Sequence, residues 1–185
     1  KRLVVGEEYI LREEIAPYGY LKATDVKFTL EDTAEVQKVE MKDEVPTALL
    51  IINKKGEFLD KVTLLDNAKG TVEHLFEYIS GNLTKVTFEV YAAEDIKAAD
   101  GISEDYYKAD DLVGTIITDD TGIAQLGGLP VGKYYVKEVA TAHGYVLDDE
   151  IRYVDLSYRD QDTPVVTYDE DWQNARQKVT VQVLK

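Results

Sequence analysis

The sequence predicts an all-β protein, most simply a sandwich of short strands, and three observations support this fold class. Tyrosine, which favours strands, occurs 13 times against 4 phenylalanines. Apolar and polar residues alternate in short runs along the chain, with the period of two that is typical of half-buried strands. Turn sequences rich in Gly, Asp and Pro separate these runs, and no segment keeps a helical period through several turns.

In chain order, the alternating runs that we predict as strands are EYILRE, DVKFTLED, VQKVEMKD, ALLIINKK, KVTFEVYA, LVGTIITD, KYYVKEVA, IRYVDLSYRD and QKVTVQVL. The segment TDDTG, residues 118–122, predicts a tight hairpin turn, and GGLPVGK, residues 127–133, predicts another break. The segment TVEHLFEYI, residues 71–79, has apolar residues at helical spacing and predicts a helical turn or an irregular strand. The acidic segments RDQD and YDEDW, residues 159–162 and 168–172, predict solvated loops.

Composition argues against several classes of function. The formal net charge of −15 disfavours binding to nucleic acids and to anionic membrane surfaces, both of which select clustered Lys and Arg. No run of apolar residues reaches membrane-spanning length, and the absence of cysteine removes disulfides and thiolate metal sites. We find no metal loop, cofactor motif or catalytic nucleophile motif, so neither a cofactor nor enzymatic turnover is expected.

One motif occurs twice, in EEYILREEIAPYGY at residues 7–20 and in GKYYVKEVATAHGY at residues 132–145. Each copy places a glutamate in an apolar strand, followed by a spacer and a Gly-Tyr pair. Glu13 corresponds to Glu138, and Tyr20 to Tyr145, both at an offset of 125 residues. Pro46 lies between the copies, so the chain is predicted to hold the C-terminal half of one domain in residues 1–46 and a complete domain in residues 47–185. The half-domain would lack its opening strands.

The pieces LLIINKK, FEVY, LPVGKYYVKE and AHGY together resemble the Cna B-type, or SpaA-like, repeats of Gram-positive surface adhesins and pilins. The resemblance covers nearly the whole chain. It implies a prealbumin-like, inverse immunoglobulin-like β-sandwich that serves as a rigid unit in a stalk. Many members of that family carry an intramolecular isopeptide bond, which joins a lysine of the first strand to an Asn or Asp of the last strand beside a Glu or Asp.

The chemistry of such a bond explains why a glutamate would stand in an apolar strand. A lysine attacks a carbonyl group only as the neutral amine, and an apolar core favours that form. A buried carboxylic acid can polarise the carbonyl group and carry protons between the reacting groups. The cross-link restricts the unfolded chain as a disulfide does, in a sequence that has no cysteine.

By resemblance, Glu13 and Glu138 hold the position that promotes the bond. In the first unit Asp43 holds the acceptor position, and the lysine strand is missing. In the second unit Lys54 shares a strand face with Leu50 and Ile52, and a one-residue slip would select Lys55 instead.

No acceptor is evident at the end of the second unit, because its last predicted strand offers Gln182, Leu184 and Lys185. Asn174 lies upstream of that strand and is a weak alternative. We therefore predict that neither unit closes an isopeptide bond within these residues.

The resemblance implies a stalk or spacer domain of an extracellular, cell wall-anchored protein, with the anchor outside this segment and neighbouring repeats as partners. An alternative is an adhesive module that binds a host matrix protein or a glycan. The loop of residues 92–111 would then present Tyr106 and Tyr107, since binding residues are often carried on loops of rigid sandwiches.

Overall fold

The computed structural model describes residues 3–66, 72–179 and 182, and these residues contain β-strands but no helix. None of them lies in a helix that could cross a membrane. The strands are β1 (Glu8–Leu11), β2 (Val26–Thr29), β3 (Thr47–Asp66), β4 (Val72–Asn82), β5 (Thr87–Ala92), β6 (Leu112–Ile117), β7 (Ile123–Pro130), β8 (Gly132–Ala140), β9 (Arg152–Leu156) and β10 (Val165–Asn174). The predicted all-β class is confirmed.

Residues 47–174 form two facing sheets. One contains β10, β3 and β4 in that order, with β7 also paired to β3, and the other has the order β6-β5-β8-β9. The first strand, β3, and the last strand, β10, lie side by side in parallel, with Thr47 opposite Val165 and Asn174 opposite Gly56. The start and the end of this part of the chain are therefore neighbours in one sheet.

The core lies between these sheets, because alternation points every second side chain inward. On β3 the inner positions are wholly buried and run Ala48, Leu50, Ile52. The facing positions of β5 and β8 are likewise buried, at Phe88, Val90, Tyr134 and Val136. This region has the two-layer architecture of a β-sandwich.

Beyond Gly56, β3 leaves the sandwich with β4 as a two-stranded antiparallel ribbon. Of the two alternatives predicted for residues 71–79, a helical turn or an irregular strand, the structure has the strand: Leu75 and Phe76 lie in β4, which pairs with β3 with one register shift. Both side chains are about half exposed. Their helical spacing had suggested one buried face, whereas the ribbon carries apolar side chains on both faces.

The turn at residues 118–122 is tight, as predicted, but it is not a hairpin. The Asp119 carboxylate accepts hydrogen bonds from the amides of Thr121 and Ile123, and Gly122 has φ of +77°. The strands on either side, β6 and β7, belong to different sheets, so the turn carries the chain across the sandwich.

Three predictions near the acidic segments have different outcomes. Residues 159–162 lie in the connection between β9 and β10, outside the strands, as predicted. The segment YDEDW was predicted as a loop but lies in β10, where pairing with β3 satisfies its backbone. The last strand was predicted at residues 177–184; the described part of that segment, residues 177–179 and 182, contains no strand, and the remainder lies outside the described residues.

The first unit is smaller. Its β1 and β2 form a two-stranded antiparallel sheet, with Tyr9 opposite Phe28. The predicted strand at residues 36–43 is absent, and Val36 is 97% exposed. The loop after β1 packs against the second unit: Ala16 donates to Gln161, and the ring of Tyr18 contacts the ring of Tyr158 edge-on.

Candidate functional site

Lys54 occupies the next inner position of β3 after Ile52, and its side chain is fully buried. Alternation on a half-buried strand explains why a lysine enters the core at this point. The ammonium nitrogen lies 5.5 Å from the ring centre of Phe88 and 6.0 Å from that of Trp172. Lys55 points to the opposite face and donates a hydrogen bond to Asn82, so the structure places Lys54, and not Lys55, in the core.

Glu138 reaches the same point from the facing sheet. It lies on β8, opposite Phe88 of β5, and follows the inner residues Tyr134 and Val136. Its Oε2 atom is 2.8 Å from Lys54 Nζ, and the two side chains are 2% and 0% exposed. Neither of these atoms has a hydrogen bond of good geometry. The proximity of Lys54 to Glu138 agrees with the sequence prediction.

Asn174 completes the cluster as the last residue of β10. It is 1% exposed, and its Nδ2 donates to Glu138 Oε1 at 2.5 Å and to Thr141 Oγ1 at 2.7 Å. The side-chain oxygen has no hydrogen-bond partner. Trp172 stands opposite Lys54 in the parallel pairing, so Asn174 is the next inner residue along β10.

The sequence prediction that Asn174 lies upstream of the last strand is therefore wrong. Its cause is the composition of β10, whose acidic residues had suggested a loop. Thr141 was missed altogether. Its only sequence signal is its place just after β8, three residues beyond Glu138.

The buried pair of Lys54 and Glu138 lowers the stability of the fold if both side chains are charged. Removing a lysine and a carboxylate from water costs several kcal/mol each, and their attraction offsets this only with good hydrogen bonds, which Lys54 Nζ and Glu138 Oε2 lack. An amine, a carboxyl group and an amide side chain thus share one buried cluster, and these are the functional groups that acyl transfer to an amine uses.

At the edge of the cluster, Arg152 stacks on Trp172, with its guanidinium carbon 5.0 Å from the ring centre, and donates to Asp148 at 2.8 Å. Partial burial acts to raise the pKa of Asp148. The hydrogen bond from Arg152, then the hydrogen bond from the amide of Glu150 and the charge of Arg152, with a smaller effect of Lys54, outweigh burial and hold that pKa below its ordinary value.

In residues 3–46, Glu13 and Asp43 hold the positions that correspond to Glu138 and Asn174. Leu21 donates a backbone hydrogen bond to Glu44, as Val146 does to Ala175, so Asp43 stands where Asn174 stands. Glu13 lies two residues beyond β1, is half-buried and accepts a hydrogen bond from the amide of Ala23 at 2.8 Å. Within the part of the chain that the structure describes, no lysine contacts Glu13 or Asp43.

The two predicted ligand-binding tyrosines differ. Tyr106 is 48% exposed and lines a cavity of about 470 Å³. Tyr107 is half-buried, packs against the core and pairs with Ile96. The cavity lies between the two units, with Tyr18 and Tyr158 on its wall. In the described ranges, no group of three acidic or histidine side chains is arranged to hold a metal ion.

The chain is similar to several solved structures, among them two pilins. The Bacillus anthracis TIE protein is 22% identical with a TM-score of 0.52, over 92% of this chain and 25% of that one. The minor pilin GBS52 of Streptococcus agalactiae is 17% identical with a TM-score of 0.47, over 88% and 57%. The shaft pilin SpaA of Lactobacillus rhamnosus GG is 16% identical with a TM-score of 0.42, over 94% and 66%.

The chain thus spans less than two thirds of each of these proteins, and at such identities the similarity concerns the fold. No curated protein matches the chain. A family model described as the SpaA prealbumin-like fold domain matches residues 78–172, which contain Glu138 and Trp172. Since these 95 residues are more than half of the 185, the chain belongs to the SpaA family of prealbumin-like fold domains.

Proposed function

We propose that this chain is a spacer segment of a Gram-positive, cell wall-anchored surface protein, whose complete domain is locked by an isopeptide bond between Lys54 and Asn174. The observation that carries the proposal is the buried cluster in which Glu138 lies 2.8 Å from the lysine nitrogen and 2.5 Å from the asparagine nitrogen. This revises the expectation from sequence that no bond would close.

In the proposed reaction, Glu138 takes a proton from Lys54 and leaves a neutral amine. That amine attacks the side-chain carbonyl carbon of Asn174, and a new C–N bond forms. The bond from this carbon to Nδ2 breaks as Glu138 relays a proton from the attacking nitrogen to the leaving one, and the ammonia departs as ammonium with the proton first taken from Lys54. Glu138 is regenerated, so the bond forms once in each molecule without a cofactor.

Intact mass tests this proposal directly. The 185-residue chain should weigh one ammonia, about 17 daltons, less than its sequence requires. Lys54→Met, Glu138→Gln and Asn174→Ala should each restore the full mass. Lys55→Arg is the matched control and should keep the loss, because Lys55 lies on the outer face.

A folded chain of unmodified mass would overturn the proposed bond. Trp172 packs edge-on to Phe88, so its fluorescence reports whether each variant still folds around the cluster. A loss of mass that persists in Lys54→Met would assign the bond to another lysine.

A second candidate function is adhesion through the loop of residues 92–111, and the cavity between the units favours it. Tyr106 lies on its wall with Tyr18 and Tyr158, and Ile96 and Leu129 also line it. Clefts of this size with apolar walls and a few polar groups suit ligands. A panel of host matrix proteins and glycans should show binding that Tyr106→Ala weakens; binding unaffected by Tyr106→Ala would exclude this cavity.

A further inference from the structure

The β3–β4 ribbon extends beyond the sandwich without a third strand. Residues 57–66 of β3 pair with residues 72–80 of β4, and among the described residues no other strand pairs with β3 beyond Gly56. At about 3.3 Å per residue, the ribbon reaches roughly 30 Å from the sandwich. Two strands alone are marginally stable in water, so a ribbon of this length gains stability from a surface that covers it.

The register of the ribbon divides its side chains between two faces, because directly paired residues point to the same side and successive pairs alternate. One face continues the outward side of β3. The register shift between Leu59 and Lys61 keeps every second residue of β4 on this face. We call its six central residues the outer ribbon face; they form the pairs Leu59–Tyr78, Val62–Phe76 and Leu64–His74. The five apolar side chains among them are 37–62% exposed.

The opposite face of the ribbon has a different character. Lys61 pairs with Glu77 there, and the hydroxyl group of Thr63 donates to the Glu77 carboxylate at 3.3 Å. At the base of this face, the ring of Phe58 lies 6.0 Å from the ring of Tyr145 in the sandwich. Charged groups and a contact with the sandwich thus suit this face to water, whereas the outer ribbon face has neither a carboxylate nor a lysine.

The two ends of the outer ribbon face carry opposite charges. At the base, the guanidinium carbon of Arg176 lies 3.8 Å from the ring centre of Tyr78, and its Nε donates to Glu57 at 3.1 Å. A guanidinium group has five donors, so it can bind a second carboxylate. At the far end, Asp66 is exposed on the same side, two residues beyond Leu64.

We propose that the outer ribbon face binds the same face of a second copy of this chain, with the two ribbons antiparallel about a two-fold axis. Val62 of each copy then packs on Leu64 of the other, and Phe76 packs on His74. Arg176 of each copy meets Asp66 of the other. The interface is isologous, since one surface serves both copies, and it does not depend on the isopeptide bond.

The exposed area of the outer ribbon face favours a second copy as the partner. Large side chains have roughly 150–250 Å² of surface each, so six that are about half exposed bury on the order of 500 Å² per copy. The pair then buries about 1,000 Å² in total, which reaches the lower bound for a specific interface. The two ribbons also become the two layers of a small sandwich, which stabilises both.

The distribution of charge favours the same partner. The net charge of −15 makes two copies repel each other over most of their surfaces. The outer ribbon face is a place where two such chains can approach without bringing carboxylates together. In the antiparallel arrangement, the acid at its end, Asp66, lies against Arg176 and not against Asp66 of the other copy.

Sedimentation velocity of the 185-residue chain over a range of concentrations tests this proposal. We expect a dimer whose fraction rises with concentration. Phe76→Lys should raise the dissociation constant at least about tenfold, because it buries a charge without a partner. Leu75→Lys is the matched control. It adds the same side chain one position away, on the opposite face, and should leave the dissociation constant unchanged.

An exchange of charges tests the antiparallel orientation. Asp66→Arg and Arg176→Asp should each weaken the dimer, and the double variant should recover most of the loss, because it restores the attraction between copies with the signs reversed. Trp172 is buried in the sandwich and lies outside the ribbon, so its fluorescence shows whether each variant keeps the folded sandwich.

A chain that stays monomeric at every concentration would overturn the proposal. A dimer that Phe76→Lys leaves intact would also overturn it, since the contact would then lie on another surface. Larger assemblies that Phe76→Lys and Leu75→Lys disrupt equally would indicate edge-to-edge pairing of β4 in its place. A double charge variant as weak as the single variants would contradict the antiparallel arrangement.

Discussion

The two copies of the glutamate motif have the same local structure but different surroundings. Gly19 and Gly144 have φ of +91° and +87°, and the amides of Tyr20 and Tyr145 donate to Pro17 and Ala142. Yet Glu138 lies between two sheets, and Glu13 lies beside a two-stranded sheet. The difference shows that the motif builds its own loop, whereas the buried cluster depends on the opening strand that carries the lysine.

The largest effect should come from removing each acceptor in turn. Asn174→Ala should lower the free energy of unfolding by about 4–5 kcal/mol, as expected for loss of a cross-link that closes a loop of about 120 residues. Asp43→Ala should leave it unchanged. Trp172 is the single tryptophan of the chain, so urea unfolding followed by its fluorescence reports on the second unit alone. Equal losses in both variants would show that the units unfold together.

Substitutions of the two corresponding glycines, Gly144 and Gly19, should have the next largest effects on stability, and the two effects should differ. Gly144→Ala places a side chain at φ of +87°, where no neighbour clashes, so strain alone should cost about 1–2 kcal/mol in the Trp172 transition. Gly19→Ala adds a contact of 3.1 Å with the Cβ of Ala99. Gly19→Ala should disturb packing between the units without shifting the unfolding transition followed by Trp172 fluorescence. A shift of the transition by Gly19→Ala would contradict the independence of the two loops.

Substitutions of the two corresponding tyrosines, Tyr145 and Tyr20, should differ less in their effects on the free energy of unfolding. The hydroxyl group of Tyr145 donates to the backbone oxygen of Glu57, on β3, at 2.9 Å. Tyr145→Phe leaves that bond unmade and should cost about 1 kcal/mol. Tyr20→Phe is the control, because the hydroxyl group of Tyr20 has no hydrogen bond to any described residue. A similar loss in both variants, measured by urea unfolding, would show that the bond to β3 is not what distinguishes them.

The smallest effect should be a dependence on pH. The lowered pKa of Asp148 means that its interaction with Arg152 contributes stability above about pH 4 and loses it as pH falls through the lowered value. Asp148→Asn should cost below about 1 kcal/mol at pH 7, since the pair is partly exposed, and nothing in strong acid. Asp25→Asn removes the exposed pair with Arg12 and should not shift the Trp172 transition at any pH.

The sequence predicted side-chain positions correctly where the alternation within a single strand determines which residues point inward. Alternation favoured Lys54, with Lys55 as the alternative, for the inner face, and the repeat identified Glu138 before any contact was known. It failed where a strand depends on its partner. β10 is stabilised by pairing with β3, so its acidic residues can face outward, and Asn174 was missed as the end of a strand.

The β3–β4 ribbon and residues 36–43 both show that the pattern of a segment does not reveal whether a strand will pair with it. Leu75 and Phe76 have helical spacing, but the second half of β3 captures them in a sheet. Residues 36–43 place Val39 and Met41 in alternation with polar residues, but no described strand pairs with them. Local propensity predicts what a segment can form, and the presence of a neighbour decides what it does form.

The parallel pairing of β3 and β10 has a mechanical consequence. A pull on the two ends of the second unit enters at Thr47 and leaves at Asn174, which lie at opposite ends of the paired strands. With Lys54 joined to Asn174, tension passes along residues 47–54, crosses the new amide and exits. The intervening residues 55–173 carry none of it. A unit built in this way would transmit load through one short covalent path while its core stays folded and unloaded.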